Sequence, residues 1–205
     1  MGFTNDNGPF INEEHKIRIT LSDKAKIVMA EDMNVFGTTK EATFINTVFT
    51  NYKENAKSSF VLYQQKRKLE LEQQFKKELL HSENTEKTIE KILSIEQKKA
   101  FEEIKAYLTT KGTSKLYHIN NNNVEYLLED CSELQESTNS ENIYNNRPGL
   151  YIRAVIEEYC SLPFIDRERF YRKDIYDIIE DACRNKTMLK IKANYYEKDQ
   201  LFHVY

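Results

Sequence analysis

Apolar and polar residues alternate along the segment KIRITLS, residues 16–22. Side chains point to opposite faces at successive positions of a β-strand, so Ile17, Ile19 and Leu21 share one face. The other face carries Lys16, Arg18 and Thr20. The pattern predicts a strand with one apolar and one polar face. A lone strand leaves its backbone N–H and C=O groups unpaired, so this one needs a partner strand.

Two amphipathic helices are predicted directly after this strand. Ser22 is placed to cap the first helix, and Gly37 suits the left-handed position at its end. Thr38 and Glu41 form the capping-box pattern at the start of the second helix. A spacing of three and four residues gives each helix one apolar face. These faces contain Ala25, Val28, Met29, Met33 and Phe36 in the first helix, and Ala42, Ile45, Val48, Phe49 and Tyr52 in the second.

Residues 53–111 have a helical pattern throughout, with a break near 81–85. The first part is highly charged, whereas the second part has a fuller apolar stripe. We expect a helical hairpin, or a long arm that spaces or dimerises the domains. The basic run Lys66-Arg67-Lys68 lies among glutamates, and we interpret it as a solvated face rather than a nucleic-acid contact.

The strand–helix–helix pattern recurs between residues 113 and 160. A shift of 98 positions (117 − 19 = 98) places Tyr117 on Ile19, and a longer shift places YIRAVIEEY, 151–159, on FINTVFTNY, 44–52. Two copies can pair within one chain, or each can pair with its counterpart in a homodimer, and the sequence leaves both arrangements open. At the polar-face positions the second strand carries Ser114, Leu116 and His118. Because that face has fewer donors, the second copy is predicted to be mainly structural.

The C-terminal segment is predicted to begin with a short connector, LPFIDRERFYRKD, followed by a helix over residues 174–185. Its inward face contains Ile175, Ile178, Ile179 and Ala182. Two strands follow, TMLKIKANYY and LFHVY, joined by the turn EKDQ. Two strands and one helix bury too little apolar area for a stable sheet. We therefore expect either that the hairpin completes another sheet or that the sequence is the N-terminal part of a longer protein.

The charge of the chain restricts any nucleic-acid contact to a local patch. Charged residues make up 31% of the 205 residues, but the net charge is only −3. Residues 15–26 form such a patch, with four basic side chains against the single acid Asp23. A two-stranded antiparallel ribbon that presents Lys16, Arg18 and Thr20 outward fits the major groove of DNA. The sequence therefore favours DNA binding.

The sequence has no signature of catalysis or of metal binding. Cys131, Cys160 and Cys183 form no CxxC pair, and the four histidines lie far apart. The chain has no glycine-rich phosphate loop and no nucleophile motif. The acidic pair Glu157 and Glu158 is interpreted as solvated. We expect no enzymatic activity, no cofactor and no metal ion.

The expected location is the cytoplasm. The N-terminal segment MGFTNDNGPF has no apolar core flanked by basic residues, so we expect no signal peptide. Eighteen apolar residues never run together, so we expect no membrane span.

Residues 16–52 resemble the ribbon-helix-helix DNA-binding family, through the alternating KIRITLS, the short Gly37-Thr38-Thr39 turn and the apolar spacing of both helices. The segment ERFYRKDIYDIIEDACRNKTMLKIKANYYEKDQLFHVY resembles the beginning of a WYL domain, the Sm-like β-barrel module of bacterial transcription regulators. The Trp-Tyr-Leu stretch that names this module is not in the sequence, which has no tryptophan. Proteins that combine the two modules accompany some CRISPR systems, and this chain is similar to their N-terminal parts.

Pattern and resemblance together predict a mostly α fold with a minor β component. Two ribbon-helix-helix units in tandem are joined by a long helical hairpin and followed by a C-terminal helix and β-hairpin. The predicted divisions are a flexible arm at 1–14, a first unit at 15–54, the helical arm at 55–112, a second unit at 113–163 and an incomplete WYL-like module at 164–205.

The resemblance implies a DNA-binding transcriptional regulator whose partner is double-stranded DNA and whose assembly is a homodimer. The residues implied to contact base edges are Lys16, Arg18 and Thr20. The residues implied to contact phosphates are Lys24, Thr38, Thr39 and Lys40, the last three beside the N-terminus of the second helix. The C-terminal module implies a further nucleic-acid or protein ligand. The alternative function is a protein-interaction, assembly or RNA-binding accessory module of a CRISPR-type system.

Overall fold

The computed structural model of the chain describes residues 4–5, 8–9, 15–77, 83–134, 143–191 and 200–203. The chain falls into two compact units, 1–162 and 163–205. Helices predominate, and each sheet among the described residues has two strands. The predicted fold class, mostly α with a minor β component, is confirmed at this level. None of the described helices is long and apolar enough to cross a membrane.

The first unit contains four strands and six α-helices within the described residues. They are β1 (Thr4–Asn5), β2 (Gly8–Pro9), β3 (Lys16–Ser22), α1 (Asp23–Phe36), α2 (Glu41–Tyr52), α3 (Phe60–Lys77), α4 (Glu83–Thr109), β4 (Gly112–His118), α5 (Asn121–Glu125) and α6 (Pro148–Ser161). A π-helical turn over Tyr126–Asp130 and a 3-10 turn over Ser132–Leu134 follow α5. The α-helical part of the first helix in the repeated segment is therefore 5 residues long, against 14 in its counterpart α1.

Strands β3 and β4 pair antiparallel within one chain, which decides between the two pairings that the sequence left open. Helix α6 packs against β3 and against α2, so both strand–helix–helix segments contribute to one core. Tyr52 of α2 meets Tyr159 of α6, its counterpart in the repeat, with ring centroids 5.9 Å apart. The buried residues that the repeat relates are Ile45, Val48, Phe49 and Tyr52 with Ile152, Val155, Ile156 and Tyr159.

The helical arm consists of α3 and α4, which pack against each other. Residues 53–59 form turns, so the arm begins later than the sequence pattern predicted. Of the predicted break at 81–85, residues 81–82 lie outside the described part, whereas residues 83–85 are helical and belong to α4. Within the basic run, Arg67 binds Glu96 with Nε–Oε2 at 3.1 Å and also binds Glu70. This pairing agrees with a solvated, charge-paired face.

The second unit contains α7 (Phe164–Tyr171), α8 (Lys173–Asn185), β5 (Met188–Ile191) and β6 (Gln200–His203). The predicted hairpin is present, because β5 and β6 pair antiparallel, but residues 192–199 lie outside the described part. Helix α8 forms as predicted, and Ala182 is buried. The prediction that Ile175 and Ile178 point inward is wrong, because both are exposed. Within this unit α8 packs against α7 and β5.

Glu133 gives the first unit a pH-dependent stability. Its Oε1 accepts a hydrogen bond from the N–H of Val61 in the first turn of α3, at 2.9 Å. Burial raises the pKa of Glu133 to about 7, and the hydrogen bond only partly opposes this. Between pH 4.5 and 7 the native state keeps a proton that the unfolded state releases. This contribution to stability is therefore complete below about pH 4.5 and is lost as the pH rises through 7.

Glu133→Gln should be more stable than the wild type at pH 8, by roughly 1–3 kcal/mol, because glutamine stays neutral and keeps an oxygen for Val61. Its stability should also change less between pH 5 and 8. Urea unfolding at both pH values measures the difference, and Glu125→Gln, at an exposed position of α5, is the matched control. Equal pH dependence in Glu133→Gln and wild type would contradict the raised pKa.

Candidate functional site

The candidate site is the outer face of the ribbon that β3 and β4 form. The outward residues face each other in the order Lys16 opposite His118, Arg18 opposite Leu116, and Thr20 opposite Ser114. Arg18 and the three β4 residues are exposed, whereas Lys16 and Thr20 are partly buried. The residues predicted to contact base edges therefore share one accessible face with the residues of the second strand.

The inner face of the ribbon holds it against helix α6. Ile17, Ile19 and Leu21 are fully buried there. Gly149 in the first turn of α6 lies so close to β3 that a Cβ atom at this position would stand 2.2 Å from the backbone oxygen of Arg18. Real Cβ atoms do not approach an oxygen so closely, so glycine is required for this packing. The helix thus supports the centre of the ribbon directly.

The outer face carries cationic and neutral groups. None of its six outward residues is acidic, although the chain as a whole has 33 acidic and 30 basic residues. The nearby carboxylate of Glu41 is paired with Lys115, with Nζ–Oε2 at 2.8 Å, and this hydrogen bond lowers the pKa of Glu41. The ion pair joins the start of α2 to β4 and offsets the negative charge close to the ribbon.

Three of the four residues predicted to contact phosphate are exposed. Lys24 lies in the first turn of α1, directly after the ribbon, and Thr39 and Lys40 immediately precede α2. Since Glu41 binds Lys115 of β4, the start of α2 also lies beside the ribbon. Lys115 lies opposite Ile19, in the inner-face register of the ribbon, so this contact places the start of α2 beside β4 and does not by itself bring Thr39 and Lys40 onto the outer face.

Thr38 has a different role from the predicted one. Helix α2 begins at Glu41 with Lys40 as its N-cap and has no side-chain cap, so the predicted capping box of Thr38 and Glu41 is wrong. The left-handed Gly37 ends α1 and turns the N–H of Thr38 onto the oxygen of Met33, at 2.9 Å. That N–H is therefore not available to a phosphate oxygen.

Glu157 and Glu158 are buried, which corrects the prediction that this pair is solvated; their exposed fractions are 7% and 6%. Ser22 donates to Glu157 through its N–H, at 2.6 Å, and through its hydroxyl, at 2.7 Å. The same hydroxyl accepts from the N–H of Ala25, which confirms Ser22 as the cap of α1. Glu157 thereby connects α6 to the point where the ribbon ends and α1 begins.

Glu158 holds the segment between α2 and the helical arm. Its carboxylate accepts hydrogen bonds from the hydroxyl of Tyr52 at 2.9 Å and from the N–H of Lys57 at 2.8 Å. Ser58 donates twice, through its N–H at 3.0 Å and its hydroxyl at 2.6 Å. The sequence contains no clear signal for this burial, because Arg153 and Glu157 lie four residues apart and give the helix YIRAVIEEYC a charged side.

A cavity of about 410 Å³ lies beside the end of β3, and its lining includes Ser22, Lys24, Lys111 and Glu157. Within the part of the chain that the structure describes, no three His, Cys, Asp or Glu side chains are grouped so that they could hold a metal ion.

Comparison with known proteins gives a structural likeness. No protein-family model and no curated protein matches the sequence. The fold is similar to the crystal structure of a CRISPR Cas-related protein, with a TM-score of 0.60 and 18% sequence identity. The match covers 98% of this chain and 54% of that protein, so this chain spans about half the length of the solved structure. At this identity the likeness shows a shared fold.

Proposed function

We propose that the chain is a DNA-binding transcriptional regulator whose ribbon-helix-helix-like core reads the major groove with β3 and β4. The observation that carries the proposal is the paired ribbon, with Arg18 exposed at its centre and no acid on its outer face. A two-stranded ribbon fits the width of the major groove. Had this face been covered by the chain's own helices, a protein-interaction function would have been favoured instead.

Each predicted contact has a distinct chemical role. The guanidinium of Arg18 forms two parallel hydrogen bonds with guanine, and Lys16 donates to base acceptors beside it. Thr20 binds a base edge or packs on a thymine methyl group. Lys24 and Lys40 neutralise backbone phosphates, which positions the ribbon without specifying sequence. The first turn of α2 adds the positive end of the helix dipole.

Arg18→Ala should weaken specific DNA binding by roughly 1–3 kcal/mol, the value of a good bidentate base contact. A titration against a duplex selected from random DNA measures the loss. The matched control is Arg184→Ala, which removes the same charge from an exposed position of α8 in the other unit. Unchanged affinity of Arg18→Ala for the selected duplex would remove Arg18 from the base-reading residues.

Binding should weaken as salt rises, because each neutralised phosphate releases counterions. Lys40→Ala should reduce the slope of log K against log salt by about 1 and should weaken all duplexes alike. Lys98→Ala, at an exposed position of α4, provides the control and should leave the slope unchanged. A complex that does not respond to salt would rule out DNA as the partner.

The alternative function is an assembly or RNA-binding accessory module of a CRISPR-type system. The specific observation in its favour is the similarity of the fold to that of a CRISPR Cas-related protein. Under this alternative, residues 164–205 begin a WYL-like module that binds RNA or a protein. Competition distinguishes the two functions: an unlabelled selected duplex should displace labelled duplex at lower concentration than single-stranded RNA of the same sequence does.

A further inference from the structure

An approximate two-fold axis relates the backbones of β3 and β4 in the ribbon, but the side chains at the related positions differ. The repeat relates positions 98 residues apart (114 − 16 = 98), and in the observed register the axis passes through the central pair Arg18–Leu116. The axis therefore exchanges one end of the ribbon, where Lys16 faces His118, with the other end, where Thr20 faces Ser114.

The chemistry differs at every position that the axis relates. One end carries an ammonium and an imidazole, whereas the other carries two hydroxyl groups. At the centre, the guanidinium of Arg18 faces the side chain of Leu116, which is 49% exposed. Arginine prefers guanine, whereas an apolar side chain prefers the methyl group of thymine. A ribbon of this kind does not make equal contacts with the two halves of a palindrome.

Nothing in the described ribbon requires a second chain. Every residue of β3 already has a partner on β4, from Lys16 opposite His118 to Ser22 opposite Gly112. The supporting helices come from the same chain, with Tyr52 and Tyr159 in contact at the approximate axis. A ribbon formed between two identical chains would instead be symmetric, because closed dimers obey a two-fold axis.

We infer that a single chain reads a short window of duplex DNA that has no dyad symmetry. Ser114, Leu116 and His118 belong to the base-reading residues and make one end of the window differ from the other. This inference rests on the proposed DNA-binding function, and it gives the second strand a role beyond the structural one that its sequence predicted.

Selection from a random double-stranded DNA library with the full chain tests the inference. The enriched window should lack an inverted repeat. Native mass spectrometry of the chain with a duplex that carries one window should show one chain per duplex. A palindromic window, or two chains on one window, would overturn the inference and leave the proposed function standing. Absence of salt-sensitive, sequence-specific binding would overturn the proposed function, and the inference with it.

A symmetrised ribbon provides the matched variant. Substituting all three outward residues of β4 makes the two ends alike; the changes are Ser114→Lys, Leu116→Arg and His118→Thr. All three positions are exposed, so the core is untouched. The window selected by this variant should become palindromic, with the preference of the Arg18 half on both sides, and binding of the wild-type window should fall roughly 5- to 150-fold. If the variant selects the same window as the wild type, β4 does not read bases.

Discussion

Glu158→Ala should destabilise the first unit by about 3–5 kcal/mol, the largest loss we expect from one substitution in this chain. Glu158 accepts four hydrogen bonds, from Tyr52, Lys57 and both donors of Ser58. Alanine removes the acceptor and leaves the donors of Tyr52 and Ser58 buried, whereas the N–H of Lys57 is only partly buried. Each buried donor left without a partner costs about 1–3 kcal/mol, partly relieved where a hydroxyl turns to a new acceptor.

Urea unfolding followed by tyrosine fluorescence measures this loss, since Tyr52 lies in the network and the chain has no tryptophan. Glu158→Gln should lose less stability than Glu158→Ala, because its amide oxygen still accepts hydrogen bonds. It should not reach wild-type stability, because its NH₂ group faces the donors of Ser58. Glu102→Ala, at an exposed position of α4, is the control and should change stability by less than about 0.5 kcal/mol. If Glu158→Ala unfolds at the same urea midpoint as the wild type, the carboxylate of Glu158 in the wild type is open to water.

The sequence predicted those features that depend on neighbouring residues. Alternation over residues 16–22 reports a strand directly, and β3 spans Lys16–Ser22. Ser22 and Gly37 act as the cap and the stop of α1, as predicted, because each works through the backbone of one adjacent turn. The internal repeat indicated a second strand near residue 117, and β4 lies there. The choice between pairing within a chain and pairing between chains needed the structure.

Features that depend on distant residues were not predicted. Glu157 and Glu158 were predicted to be solvated, because the residues that donate hydrogen bonds to them are distant in sequence. Ser22 lies 135 residues from Glu157, and Ser58 lies 100 residues from Glu158. The sequence pattern predicted that Thr38 caps α2. In the structure the N–H of Thr38 instead donates to Met33 at the end of α1, and α2 begins only at Glu41.

The candidate site itself was accessible to sequence reasoning in part. Alternation placed Lys16, Arg18 and Thr20 on one face, and their assignment to base edges stays a prediction. The second strand was given a structural role because it has fewer donors, and only the pairing register shows that Leu116 faces Arg18. Donor count does not decide whether a residue reads DNA, since an apolar side chain also distinguishes bases.

Gly149→Ala should destabilise the first unit by about 3 kcal/mol, the upper end of what overpacking usually costs. The new methyl carbon would stand 2.2 Å from the backbone oxygen of Arg18. A backbone atom within a paired strand cannot rotate away as the end of a side chain can. Helix α6 or strand β3 must therefore shift. Because this contact lies beneath the central residue of the ribbon, the same substitution should weaken DNA binding even where the protein remains folded.

Gly37→Ala separates this clash from the general cost of replacing glycine. Gly37 has a φ of +73°, and a Cβ atom there would meet nothing within 4 Å, so alanine brings only backbone strain of about 1 kcal/mol. In urea unfolding, the free energy of unfolding should therefore be much lower for Gly149→Ala than for Gly37→Ala. In DNA titration, only Gly149→Ala should lose affinity. The reverse ranking would mean that α6 does not approach β3 closely, and the ribbon would then lack the support on which its base-reading geometry depends.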